Sequence, residues 1–266
     1  MINKDFKFKK SLGQNFLNDD NIVDKIANAA KISKNDLVIE IGPGSGVLTK
    51  KLALLAGQVL AYEIDLRLKE DLNKNLSNVS NVDILYKDFM QADVLSDLKK
   101  YKFNKLYIVS NLPYYITTPI INKLINDKLD IECIVVMVQK EVALRFCALP
   151  GTKDYNSLTI YLGYHYNIKK LFDVSKNCFI PKPNVDSAVV CFEKRKEKEY
   201  IKDINFFYKI VRDSFSFKRK TLKNNLKGYN LIKIEEILKK YNMDLSVRAE
   251  QISLNIFIEI ANHLCD

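Results

Sequence analysis

No stretch of this 266-residue chain comes near the roughly 20 consecutive apolar residues that a membrane-spanning helix needs. No secretory leader is read either, because Met1–Lys10 is charged and has no apolar segment. Histidine occurs only twice, at His165 and His263, far apart and among apolar neighbours. Each is read as structural, and catalysis by histidine has weak support. The five cysteines (Cys133, Cys147, Cys178, Cys191 and Cys265) are scattered, odd in number and without C-x-x-C spacing. That argues against a disulfide framework or a zinc site and fits a reducing compartment. There are no internal repeats and no low-complexity tract. What remains is a 47% hydrophobic chain, long enough for one substantial domain and a small one. Its net charge of +10 suggests a polyanionic partner. Lys194–Asp266 carries 16 Lys and Arg against 10 Asp and Glu, so the tail is the more basic part per residue.

The chain is organised around Leu37–Thr49, Leu-Val-Ile-Glu-Ile-Gly-Pro-Gly-Ser-Gly-Val-Leu-Thr. Its apolar, β-branched opening predicts a buried strand, and Val47 onward predicts a helix. Gly42-Pro43-Gly44-Ser45-Gly46 between them lets backbone approach a bound molecule closely. A strand turning sharply into a helix is the first unit of a doubly wound sheet, which binds ligands at the carboxyl ends of its strands. The dinucleotide fingerprint G-x-G-x-x-G is missing its third glycine, since position 47 is Val. The spacing favours a nucleoside cofactor without a pyrophosphate, S-adenosylmethionine being the common case. A tight turn that binds nothing is the competing reading of the glycines alone.

Strands are predicted at Leu37–Ile41, Val59–Glu63, Val82–Tyr86, Leu106–Ser110 and Cys133–Val138, with helices from about Asn21, Val47, Leu66 and Thr118. Glu63, Asp88 and Asn111 then fall at the carboxyl ends of three successive strands, which a shared pocket explains better than chance. Ser157–Val174 is ambiguous, and Ser157–Tyr166 within it reads as helix or strand. Asp186–Glu193 reads as a last strand, and Phe179-Ile180-Pro181-Lys182-Pro183 as a stiff extended loop holding Phe179 in a fixed pose. Lys194–Lys202 is a charged linker, and four helices follow. The expected division is 1–193 for an α/β domain and 194–266 for a small helical one.

Asn111-Leu112-Pro113-Tyr114 is the most specific feature. The amine on a nucleobase is a poor nucleophile because its lone pair is delocalised into the ring. Hydrogen bonds from that amine to an Asn oxygen and a backbone carbonyl favour a tetrahedral nitrogen, whose lone pair can meet an electrophilic methyl group. Pro113 stiffens the turn and Tyr114 offers a flat face to the base. No strong general base is needed, and catalysis rests on positioning and preorganised acceptors.

With Gln14-Asn15-Phe16-Leu17, Glu40–Gly46, Glu63-Ile64-Asp65, Asp88, Asn111–Tyr114 and Phe179–Ser187, the chain resembles the KsgA family of ribosomal RNA adenine dimethyltransferases over nearly its whole length. The resemblance implies a Rossmann-like class I methyltransferase fold of the α/β class with a small C-terminal α-helical domain. It implies S-adenosylmethionine as cofactor, with Asn15, Leu17 and Gly42 at the methionine end, Glu63 on the ribose and Asp88 on the adenine. Gly44, Ile64 and Phe89 complete that pocket, and Asn111 serves cofactor and target. Asn111, Leu112, Pro113, Tyr114 and Phe179 are the implied catalytic set, with Tyr114 and Phe179 sandwiching the target adenine. It further implies that Ser157–Tyr166 is helical. The implied substrate is small-subunit ribosomal RNA in a pre-30S-like particle, two adjacent adenines near the 3′ end being dimethylated at N6. Lys218, Arg219 and Lys220 are the candidate RNA-binding residues. A monomer without metal or membrane attachment is expected, in the cytoplasm of a bacterium or in an organelle. Two rival readings are a large-subunit RNA methyltransferase of the macrolide-resistance type and a non-catalytic RNA-binding factor on the same fold. Leu112 and the tail segments Phe215–Leu222 and Arg248–Leu254 speak against the first, and the intact Asn111–Tyr114 against the second.

Overall fold

A computed structural model of the chain describes residues 8–9 and 13–265. Most of the charged start, with Ser11 and Leu12 of the segment before the first helix, lies outside the described residues. The first compact unit comprises Met1–Ala143 and Lys169–Glu193. Its elements begin with β1 (Phe16–Leu17), α1 (Asp20–Ala29), β2 (Leu37–Ile41), α2 (Val47–Leu55) and β3 (Gln58–Tyr62). Then come α3 (Lys69–Asn75), β4 (Val82–Leu85), α4 (Val94–Leu98), β5 (Leu106–Asn111), α5 (Thr117–Asn126) and β6 (Ile131–Gln139). After α6 (Lys140–Phe146) and α7 (Ser157–His165), the chain forms β7 (Tyr166–Val174), β8 (Phe179–Ile180) and β9 (Ser187–Lys194).

Seven strands form one sheet in the order β4-β3-β2-β5-β6-β9-β7. The five from β2 to β6 are parallel, and β9 lies antiparallel to β6 with Val136 opposite Val190. The chain steps outward from β2 to β4 and returns as β5 on the other side of β2. That puts the switch point, where such sheets bind ligands, between β2 and β5. All five residues of β2 are buried. A strand covered on both faces has no solvent side, which accounts for its continuous apolar run. Val38, Leu52, Val109 and Val135 share one apolar cluster that binds helices to sheet. At α1, Asp19 accepts hydrogen bonds from the amides of Asn21 and Ile22 and satisfies orphan donors at the helix start. Separately, β1 and β8 form a two-stranded antiparallel sheet, Leu17 opposite Phe179 and Phe16 opposite Ile180.

The second unit comprises Leu144–Ile168 and Lys194–Asp266. Its C-terminal helices are α8 (Ile204–Ser214), α9 (Leu222–Asn225), α10 (Leu231–Lys239) and α11 (Leu254–Leu264). Asp203, Asn230 and Ser253 cap α8, α10 and α11 with side-chain oxygens. The expected boundary at 193/194 coincides with a unit boundary, and the difference lies in residues 144–168. Residues 144–168 group with the tail because Tyr155 and Ile160 are buried in the same cluster as Phe207, Leu222, Leu238 and Phe257. With that contribution the tail helices have the apolar partners that they are too few and short to supply among themselves. The ambiguity over 157–174 resolves as a helix followed by a strand. Asn156 and Thr159 close a capping box at the helix start.

Candidate active site

The cleft at the switch point is assembled from the loops at the carboxyl ends of β2, β3, β4 and β5 and from the segment around β1. Its empty space is about 1040 Å³ with the open mouth included, the scale of a site for a nucleoside-sized ligand. The first loop, Gly42–Gly46, turns from β2 into α2 with left-handed backbone at Gly42, Gly44 and Gly46 (φ +73°, +59° and +80°). Only glycine holds such angles without steric cost. A Cβ on Gly44 would also lie 2.8 Å from Cε1 of Phe16, so the Phe16 ring rests directly on the loop.

Glu63 follows β3 and is 4% exposed. One of its oxygens accepts from the Gly44 amide at 3.2 Å and the other from the Asp65 amide at 2.8 Å. Burial raises its pKa, and the two backbone amides oppose that rise. The neighbouring Asp65 is held by Arg67 and by Nε2 of Gln14 (2.7 Å), and its pKa falls to about 2. The Gln14 bond ties the segment before β1 to the loop after β3.

Glu40 has no role that its place in the motif assigns. It lines the cleft, is 1% exposed, and its Oε2 has no hydrogen-bond partner among the described residues. Burial raises its pKa to about 8, against the opposing effect of the nearby Thr49 hydroxyl and with a smaller push from Glu63. The sequence signal is a carboxylate inside Leu-Val-Ile-Glu-Ile, a run that has no solvent face.

The charged groups of the lining decide what can sit there. Two are the buried carboxyls Glu40 and Glu63, and the third is Lys87, already paired with Asp97 at 2.6 Å. Such a lining offers a pyrophosphate no unpaired cation, and its carboxyls suit a ligand with hydroxyls and amines. S-adenosylmethionine, with its sulfonium, ammonium and ribose hydroxyls, fits these residues.

Asn111 ends β5, and its Nδ2 donates to the Asn15 carbonyl at 3.1 Å. The turn after it is held from three sides. The Leu112 amide donates to the Met137 carbonyl (3.2 Å), while the Pro113 carbonyl accepts from the Ile116 amide (3.3 Å) and Thr117 Oγ1 (3.1 Å). The Tyr114 hydroxyl shares a 2.5 Å hydrogen bond with Ser187 Oγ at the start of β9. Burial raises the Tyr114 pKa, so its hydroxyl stays protonated. Beside this turn, buried Ser110 Oγ donates to the Ile41 carbonyl at 2.5 Å across β2 and β5. That bond joins the strand that ends in Asn111 to the strand that enters the glycine loop.

The cleft lining thus brings together Asn15, Leu17, Gly42, Gly44, Glu63, Ile64, Phe89, Asn111, Leu112, Pro113 and Tyr114. Two expected residues are not in it. Asp88 stands between the lining residues Lys87 and Phe89, but its Oδ1 accepts from the Met90 amide and caps a short turn. Phe179 is 2% exposed and belongs to the apolar cluster that includes Val23 and Val189. It is held by strand pairing with Leu17 rather than by a loop, and strand alternation sends it inward and Ile180, 52% exposed, outward. Lys218, Arg219 and Lys220 lie in the second unit, all three exposed.

The chain is similar to known proteins along nearly its whole length. The family "Ribosomal RNA adenine dimethylase" matches residues 5–266. A "Ribosomal RNA small subunit methyltransferase A" of Clostridioides difficile is 43% identical, covering 97% of this chain and 91% of its own. The protein of the same description from Listeria innocua is 45% identical, covering 98% and 92%. Among solved structures, a dimethyladenosine transferase from Plasmodium falciparum superposes with a TM-score of 0.77 at 28% identity, covering 92% of this chain and 95% of that one. The 23S rRNA methyltransferase ErmE gives 0.77 at 26%, covering 95% and 100%.

Proposed function

Because this chain belongs to the ribosomal RNA adenine dimethylase family, we propose that its switch-point cleft is where adenines of small-subunit ribosomal RNA are methylated. The protein is an S-adenosylmethionine-dependent ribosomal RNA adenine N6-dimethyltransferase with a Rossmann-like α/β fold. Its targets are two adjacent adenines in the 3′-terminal hairpin loop of the small-subunit RNA, each receiving two methyl groups. The observation that carries the reading is the meeting of Asn111–Tyr114 with the glycine loop and Glu63 in one cleft.

S-adenosylmethionine, when bound, supplies a methyl group made electrophilic by its sulfonium. Gly42 and Gly44 let the backbone approach it, Glu63 accepts from its ribose hydroxyls, and Asn15 and Leu17 line its methionine end. Ile64, Phe89 and Asp88 hold its adenine. Asn111 Oδ1 and the Leu112 carbonyl accept the two protons of the target amine and turn its lone pair toward the methyl. The bonds from Met137, Ile116 and Thr117 keep this turn rigid, so little reorganisation accompanies reaction. The methylated nitrogen then becomes acidic enough to lose its proton without a strong base. Tyr114, fixed by Ser187, stacks on the target base. For Phe179 to close the other side of the sandwich, its ring has to turn out of the apolar cluster that buries it.

The second unit supplies RNA contact through Lys218, Arg219 and Lys220, and the enzyme works as a metal-free monomer on a pre-30S-like particle in the bacterial cytoplasm. Among the described residues no helix is long and apolar enough to cross a membrane. Primer extension on small-subunit RNA treated with protein and S-adenosylmethionine tests the activity. Dimethylated adenine cannot pair, so the polymerase should stop at two adjacent adenines. Read-through would refute the reading, and stops confined to large-subunit RNA would reassign the substrate.

A further inference from the structure

The turn that carries Lys218, Arg219 and Lys220 also carries an aromatic ring that the protein leaves uncovered. Two phenylalanines flank Ser216 and behave oppositely. Phe215 packs inward, its ring 6.1 Å from that of Phe257 and 6.3 Å from that of Tyr155. Phe217 points outward and is 66% exposed. The backbone that holds it there is bonded at both ends. Ser216 donates to the Asp213 carbonyl (3.2 Å), and Lys220 donates to the Phe217 carbonyl (2.9 Å). Asn225 Nδ2 bridges the carbonyls of Ser214 (2.6 Å) and Phe217 (3.3 Å). A ring on so constrained a turn loses little further freedom when something stacks on it.

Lys218, Arg219 and Lys220 are exposed, and none forms an ion pair among the described residues. Lys218 Nζ donates to the Lys153 carbonyl at 3.1 Å, which anchors its stem while leaving its charge unneutralised. An apolar protein surface would have to desolvate these cations in order to cover the ring. A nucleic acid strand presents both needed partners together, phosphates for the cations and a base for the ring. We propose that Phe217 is a stacking platform for an unpaired nucleobase of the RNA strand whose phosphates are held by Lys218, Arg219 and Lys220. The inference rests on the reading that this basic turn contacts RNA, and adds a base contact to it. Since every base has a π-face, the contact selects unpaired over paired RNA and is tolerant of sequence.

The test is fluorescence anisotropy with the full chain, using a labelled single-stranded RNA of about ten nucleotides, the scale of one single-strand binding site, and a blunt duplex of the same length, at several salt concentrations. Phe217→Ala should weaken single-strand binding about 5- to 100-fold and leave duplex binding and the salt slope unchanged. Phe217→Trp should retain the affinity, and Phe217→Leu, apolar but not planar, should behave like Phe217→Ala. A charge-removing variant with Gln at all three cations separates this inference from the reading beneath it. Its slope of log affinity against log salt should shrink by about 0.7–0.9 for each phosphate that is no longer neutralised. If that slope shrinks while Phe217→Ala binds like wild type, or is weakened equally on duplex, stacking by Phe217 is refuted and the basic turn stands. If the slope does not change, the basic turn itself does not touch RNA. Thermal melting and cofactor titration on each variant exclude misfolding as the cause.

Discussion

The cleft and the basic turn use charge in opposite ways. In the cleft, Glu40 and Glu63 are buried beside each other, and dehydration has pushed both pKa values up. At the turn, three cations stand in water with no ion-pair partner among the described residues. A dehydrated carboxyl is costly until a ligand satisfies it, so it confers selectivity and couples to pH. A hydrated cation costs little, is screened by salt, and acts by displacing counterions along a polyanion. Mutations in the first region should therefore alter proton-linked stability and chemistry, and those in the second should alter salt dependence.

The largest effects are expected in the cleft and directly beneath it. Phe179→Ala should destabilise the fold by about 3–5 kcal/mol, the usual cost of truncating a buried Phe, read from denaturant unfolding. A change under about 1 kcal/mol would place Phe179 outside the core and return it to the base clamp alone. Next comes Asn111→Ala, which should fold normally and lose roughly 100- to 1,000-fold in turnover, the scale for one preorganised acceptor. Wild-type turnover at saturating cofactor would remove Asn111 from the reaction.

Glu40 sharpens the contrast in pH. Its folded pKa, about 8, lies above the 4.5 of an exposed carboxyl. The unfolded chain therefore releases this proton first, and stability present below the unfolded pKa is lost as pH rises to about 8. Glu40→Gln should remove that loss, a matter of a few kcal/mol. The variant's melting temperature relative to wild type should then climb from about pH 5 to about pH 8, the window between the two pKa values. Parallel melting curves would show that Glu40 ionises normally. The smallest effect is for Glu63→Ala, about 1–3 kcal/mol of S-adenosylmethionine affinity for a charge-assisted hydrogen bond. Calorimetric titration with unchanged affinity would take Glu63 off the ribose.

The parts of this contrast that rest on local pattern were legible in the sequence. Leu37–Ile41 is a short β-branched run closed by glycines, and both its burial and its turn into a helix followed from that. The place of Asn111–Tyr114, at the end of β5 and in the cleft lining, could be read from four adjacent residues. Phe179 did not yield to the same method, because its partner, Leu17, belongs to a distant part of the chain and nothing near Pro181 signals a strand. Residues 157–165 are apolar on nearly every side, so periodicity could not separate helix from strand there. Asn156 with Thr159 was the available cue. The grouping of residues 144–168 with the tail escaped that method for a related reason. A composition shift marks where the linker lies, but not that residues 144–168 have their apolar partners in the tail.

Gly44 constrains the protein's future as well as its present shape. Any side chain there meets the Phe16 ring, and trimming Phe16 removes that collision. It does not change the left-handed backbone at position 44, which disfavours every L-residue with a Cβ. The two obstacles are independent, so no single compensating change opens this position to substitution. Descendants that keep the loop must keep an atom missing there, while the groups around it remain free to drift.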